Sequence, residues 1–208
     1  MKILNLYAGI GGNRKLWGTG HDITAVEINP DIAKIYQDFF PDDTMIVGDA
    51  HQYLLKHFDD FDFIWTSPPC PSHSNFSKLR ALSDDVKTGN HLYEAKYIEM
   101  SLYQEIILLQ HYFKGKWIIE NVIPYYDLLI PAQKIQRHLF WSNYFIRDIK
   151  VIGDNIKHGT VEKWQEDLDV DLSPYKIDKR KALRNCVDPE LGLHILKCSQ
   201  DKELELFN

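Results

Sequence analysis

Over the first 125 positions, short apolar runs alternate with stretches whose apolar residues recur at helical spacing. "KILNLYAG" reads as a strand, followed by a glycine-rich turn and a short helix near Asn13 to Trp17. "DITAVEIN" predicts a second strand and "PDIAKIYQDFF" a helix. Pro30 suits the opening of that helix, because a first-turn residue has no use for the N–H that proline lacks. "DTMIVGDA", "FDFIWTSPP" and "KWIIENV" supply strands three to five, with "AHQYLLKHF" as a helix between the third and fourth. Ile98, Leu102, Ile106, Leu109 and Phe113 mark a further helix from Ala95 to Phe113. Strands alternating with helices predict an α/β fold, its sheet mostly parallel and covered on both faces.

Beyond Val122 the pattern loosens. "HLFWSNYFI" and "DIKVIG" predict later strands joined as a hairpin, and "EKWQEDLDVD" an acidic loop or helix face. "KIDKRKALRNCVDPELGLHILK" begins basic and ends in an apolar helical stretch. The 208 residues suit one domain of ordinary size, and 44% hydrophobic with 26% charged residues is usual for a soluble globular chain. Runs such as "EIILL" are too short to span a membrane, and the start lacks a signal peptide's pattern, so a cytoplasmic chain is expected. A net charge of −6 supplies no global basic field, so a nucleic-acid partner would be held by local basic patches. Cys70, Cys186 and Cys198 are odd in number and far apart, without metal-ligand spacing, which argues against a disulfide scaffold or a metal site.

The candidate chemistry gathers at strand ends. Gly9, Gly11 and Gly12 follow the first strand, where missing Cβ atoms let backbone turn tightly or approach a ligand. Glu27 ends the second strand and Asp49 the third. An Asp there is often only a turn residue or helix cap. Three such features on successive strands point instead to a ligand lying across the carboxyl ends of an open sheet. Cys70 follows the fourth strand between Pro69 and Pro71, and prolines end a strand and stiffen the backbone beyond it. A thiol so placed is a candidate nucleophile, against the alternative of a buried structural cysteine. Glu120 and Asn121 end the fifth strand, where a carboxylate needs a partner or a task.

In this order "LYAGIGG", "VEINP", "GDA", "SPPCPS", "ENV" and "LRNCVDP" resemble the motifs of the DNA cytosine-5 methyltransferase family. The resemblance implies a Rossmann-like methyltransferase domain with S-adenosyl-L-methionine as cofactor. It implies cofactor contacts from Tyr7, Ala8, Gly9, Gly11, Gly12, Glu27, Ile28, Asp49, Ala50, Pro68, Asn185 and Val187. Gly9 and Gly11 would approach the methionine part, Glu27 the ribose and Asp49 the adenine amino group, with Tyr7 and Ile28 against the ring. Cys70 becomes the nucleophile and Glu120 the group at N3 of cytosine, with Arg137 beside the substrate. Pro69, Ser72, Arg80, Asn121, Lys179 and Arg180 are the further substrate contacts implied.

Four departures stand out: Asn5 where the family has an acidic residue, Tyr7 for its usual Phe, one arginine in "QKIQRHLFWSN", and Arg184 for a common glycine. The resemblance divides the chain into a catalytic domain (1–142), a reduced target-recognition region (143–179) and a returning segment (180–208). The substrate implied is DNA, as a duplex with a flipped cytosine or single-stranded. So small a recognition region implies weak selectivity or a protein partner that supplies it. "SPPC" also resembles a subgroup that methylates transfer RNA, and a non-catalytic cofactor-binding module is the alternative from another class.

Overall fold

The computed structural model describes residues 1–69, 72–73, 97–149 and 159–204. Its centre is one sheet of seven strands: β1 (Lys2–Leu6), β2 (Asp22–Glu27), β3 (Thr44–Val47), β4 (Phe63–Thr66), β5 (Lys116–Val122), β6 (Gln133–Ile135) and β7 (His138–Ser142). They lie in the order β3-β2-β1-β4-β5-β7-β6. Pairings among the first five are parallel, and β7 pairs antiparallel with both β5 and β6. All five parallel strands therefore end at one edge, the geometry expected of α/β sheets that bind ligands there.

The strands read as near-continuous apolar runs because the sheet is covered twice. Ile3, Phe63, Trp65, Ile118 and Phe140 pack with Leu191, Ile195 and Leu196 on one face. Leu4, Leu6, Ile64 and Ile119 pack with Leu54, Leu102, Ile106 and Leu109 on the other. The described α-helices are α1 (Pro30–Phe39), α2 (Ala50–His57), α3 (Ser101–Tyr112), α4 (Val161–Leu168), α5 (Lys179–Arg184) and α6 (Pro189–Gln200). Asn29 caps α1 by accepting from the N–H groups of Asp31 and Ile32, and Asp188 caps α6 through those of Glu190 and Leu191. A third apolar cluster joins Ile10 and Ile35 to Trp164, Leu168, Leu172 and Leu183, so α4 and α5 pack onto the glycine-turn side of the domain. The acidic stretch is thus an amphipathic helix, with Trp164 and Leu168 inward.

Three expectations are corrected. Residues 13–17 form successive turns and no helix: Arg14 N–H bonds Gly11 O, and Trp17 N–H bonds Arg14 O. Side chains fix these turns. Asn13 pairs with Asn5 at 2.9 Å, Arg14 bonds Asp43 at 2.8 and 3.0 Å, and Trp17 Nε1 donates to Gly192 O at 3.1 Å. The helix expected from Ala95 begins at Ser101, residues 97–100 being non-helical. The hairpin lies earlier than expected, between β6 and β7, around a two-residue loop in which Gln136 takes φ 55. Of "DIKVIG", Asp148 and Ile149 are described, and neither is in a strand.

Candidate active site

The glycine turn opens the site, and its three glycines are needed for different reasons. Gly9 sits at φ +56, and a Cβ there would meet nothing within 4 Å. Gly11 faces inward, its notional Cβ 2.3 Å from the Phe40 ring. At Gly12 a Cβ would lie 2.5 Å from the backbone oxygen of Val187. The segment carrying Cys186 and Val187 therefore lies against the turn. Val187 is buried, while the exposed Asn185 caps the end of α5.

Glu27 turns its carboxylate back onto the loop. Oε2 accepts from Gly9 N–H at 3.1 Å and Oε1 from Asn29 N–H at 2.9 Å. One carboxylate thus links the ends of β1 and β2. The neighbouring Ile28 is 68% exposed, an apolar side chain standing in solvent at the ligand edge. Asp49 is exposed and serves as helix cap, Oδ1 accepting from Gln52 N–H at 3.0 Å. Ala8 and Ala50 are buried beside these ends.

Tyr7 takes φ 54, and its hydroxyl donates to Glu105 on α3 at 2.6 Å. The fully buried Glu105 also accepts from Thr66 Oγ1 at 2.7 Å and contacts His51 Nδ1 at 2.9 Å. Burial first, then the Glu105 carboxylate, pushes the Tyr7 phenol well above its ordinary range, while the hydrogen bond to Glu105 raises His51. Tyr7, placed by the resemblance against the adenine ring, directs its hydroxyl to this cluster. The sequence reading missed Glu105; its signal was a carboxylate on the buried face of α3, among Leu102, Ile106 and Leu109.

At the next two strand ends, the Nδ2 of Asn121 donates to the Pro68 carbonyl at 3.1 Å, and its Oδ1 accepts from Val122 N–H at 2.8 Å. Asn121 thus binds the exit of β4 to the end of β5. Pro68 is buried and Pro69 exposed, and Ser72 Oγ accepts from Glu99 N–H at 3.1 Å. Cys70, Pro71 and Arg80 lie outside the described residues.

Glu120 is buried, its carboxylate bonded to His138 Nδ1 of β7. Burial pushes this carboxyl up, but His138, the Ser67 hydroxyl and Arg137 together outweigh it and hold the group below the ordinary glutamate range. Arg137 therefore acts on Glu120 through its charge. Lys179 Nζ lies 3.4 Å from Ser173 O, and Arg180 places its guanidinium over the Trp164 ring at 4.9 Å. Both stand on α5, and their contacts are with α4 and the segment between the two helices.

A cavity of about 260 Å³ opens between the glycine turn and the C-terminal end of α4. Gly11, Gly12, Lys15 and Cys186 line it, whereas Gly9, Glu27 and Asp49 do not. Among the described residues no cluster of three metal-ligating side chains occurs, and no helix is long and apolar enough to cross a membrane.

The model of the family described as C-5 cytosine-specific DNA methylase matches residues 1–122, more than half of the 208. The chain belongs to that family. Its seven-stranded, mostly parallel sheet with helices on both faces suits that membership, which implies S-adenosylmethionine as the cofactor. The residues present fit this molecule: a glycine whose missing Cβ leaves open space, a carboxylate at the end of β2, and an exposed Ile28 beside it. No curated protein matches the chain.

Among solved structures, a Spodoptera frugiperda DNMT2 mutant is 28% identical, with a TM-score of 0.38, over 58% of this chain and 35% of its own. The Entamoeba histolytica methyltransferase EhMeth is 17% identical, with a TM-score of 0.36, over 59% and 38%. A methyltransferase from Agrobacterium tumefaciens, described as SAM-dependent, is 14% identical, with a TM-score of 0.41, over 61% and 40%. The match spans little more than a third of the first two structures' own length.

Proposed function

We propose that this protein methylates C5 of cytosine in DNA through a covalent adduct with Cys70. The observation that carries the reading is the tie from Asn121 to Pro68, which joins the strand end bearing Glu120 to the proline segment leading into Cys70. Nucleophile and carboxylate then come from adjacent parallel strands, at the edge where Glu27 and Gly9 would hold the cofactor.

Cys70 thiolate adds to C6 of the base and makes C5 electron-rich. Glu120 holds N3 and passes it a proton, which stabilises the charge that develops as the thiolate adds. The bound sulfonium supplies an electrophilic methyl group for C5. A base removes the C5 proton, N3 gives its proton back to Glu120, and departure of the thiolate restores the aromatic base. Because C6 is out of reach inside a stacked duplex, the cytosine must be flipped out or arrive single-stranded. The reduced region at 143–179, the basic residues of α5 and Arg137 are the proposed contacts to the nucleic-acid backbone. A protein partner that supplies target recognition is part of the same proposal.

A second reading keeps the chemistry and changes the substrate to RNA. Ser67, the residue through which "SPPC" resembles the RNA-methylating subgroup, is among the groups that lower the Glu120 carboxyl. Purified protein offered duplex DNA, single-stranded DNA and transfer RNA with methyl-labelled cofactor decides between them. Label on DNA cytosine is the expected result. Label confined to RNA would replace the substrate, and none on any of them would leave a binding module.

A further inference from the structure

β5 and β7 run antiparallel with His138 directly opposite Val122 and Phe140 opposite Glu120. Glu120 and Val122 share one face of the sheet, so the side chain of His138 meets Glu120 as a diagonal cross-strand neighbour. The contact is from Nδ1 to Oε1, and the two side chains are 12% and 10% exposed. The groups facing the pair come from two further places: the Ser67 hydroxyl at the exit of β4, and Arg137 in the β6–β7 loop. Proton supply is the difficulty at this point of the site. N3 of cytosine must receive a proton, yet Glu120 lies in surroundings that keep it a carboxylate, with burial opposed and outweighed by His138.

We propose, resting on the cytosine-5 reading, that Glu120 and His138 share the proton destined for N3, with His138 a positioning residue that acts through Glu120. As thiolate adds at C6, N3 takes a proton from Glu120 and Glu120 takes one from Nδ1 of His138. The pair is left one proton short. When the thiolate departs, N3 returns the proton along the same path, so the pair ends the cycle as it began. The bland alternative is a buried pair that only braces β7 against β5. Such a brace moves no proton, so the rate lost with it would not return as pH falls and Glu120 is protonated.

Two variants separate these. His138→Gln keeps a hydrogen-bond donor for Glu120 and removes the charge; His138→Leu removes both. The first readout is the titration of the Glu120 carboxyl by ¹³C NMR of glutamate-labelled protein, which needs no turnover. Both variants should raise its midpoint by roughly one pH unit or more, since an opposing charge is lost while burial stays. An unchanged midpoint in a folded His138→Gln protein overturns the proposal, even should His138→Leu fail to fold.

The second readout is the pH profile of methyl transfer. For His138→Gln the rate should drop on the order of 100-fold at pH 8, the usual contribution of a positioned proton donor. It should recover towards the wild-type rate as pH falls and Glu120 becomes protonated itself, with KM little changed. A loss uniform across pH would mean a brace and overturns the proposal. A wild-type protein that methylates no cytosine substrate overturns the functional reading and the catalytic half of this proposal with it, whatever the titration shows.

Discussion

Asn121 donates from Nδ2 to the carbonyl oxygen of Pro68 at 3.1 Å, fixing the start of the proline segment to the end of β5. Asn121→Ala would leave a buried carbonyl unpaired, a loss of about 1–3 kcal/mol. It should also free the segment that leads to Cys70. We expect a lower melting temperature, a large fall in methyl transfer and cofactor affinity close to wild type. Denaturation, activity and calorimetry on one preparation check all three. Unaltered turnover would mean that this tie does not position the nucleophile.

Gly9 and Gly12 predict opposite outcomes for the same substitution. Gly9→Ala meets open space but forces an L-residue to φ +56, so it should cost about 1 kcal/mol of stability and considerably more cofactor affinity. Gly12→Ala drives a Cβ to 2.5 Å from the Val187 carbonyl oxygen and should destabilise the fold itself. Paired thermal melts with and without cofactor distinguish them.

Glu27 holds the N–H groups of Gly9 and Asn29, and in the proposed site it would also accept from the ribose of the cofactor. Glu27→Ala should weaken S-adenosylmethionine binding by roughly 1–3 kcal/mol, as expected when a charged hydrogen-bond partner is removed. Calorimetric titration reads this directly. Unchanged affinity would remove Glu27 from the cofactor site.

The parallel strands and the carboxyl-edge placement of Gly9, Glu27 and Asp49 were legible in the sequence because each strand is a short apolar run ending in a polar or glycine residue. The turns at 13–17 were not, because Arg14, Asn13 and Trp17 are held by Asp43, Asn5 and Gly192, distant in the chain. The β6 strand was missed because "QKI" is too short to show alternation. His138 could have been found from register: once β7 is antiparallel to β5, it shares a face with Glu120. The two roles of Asn121 and Glu105 depend on partners that only tertiary structure brings near.

His73 predicts a pH dependence of stability. It is 1% exposed, with Nδ1 against the Tyr126 hydroxyl and Nε2 without a hydrogen-bond partner among the described residues. Burial lowers its pKa, an effect the Glu99 backbone and charge only partly oppose. The unfolded chain therefore takes up a proton first, and stability is lost as pH falls below about 6.5, the ordinary histidine value. His51, raised by Glu105, contributes with the opposite sign, losing stability as pH rises. Denaturant unfolding of wild type and His73→Leu between pH 7.5 and 5 isolates the effect: the gap between them should change in favour of the variant as pH drops. A constant gap would contradict the assignment.

The most direct test is mechanism-based trapping. DNA carrying 5-fluorocytosine, given to the wild-type protein with S-adenosylmethionine, should yield a stable protein–DNA adduct, because fluorine cannot leave C5 as the proton does. Mass spectrometry of the digested adduct should map the link to Cys70. Cys186 and Cys198 serve as internal controls, since burial pushes the Cys186 thiol up to about 12 and raises Cys198 as well. Cys70→Ala should give no adduct and no methyl transfer while still binding cofactor. An adduct that forms equally well with Cys70→Ala, or methylation by that variant, would contradict the account.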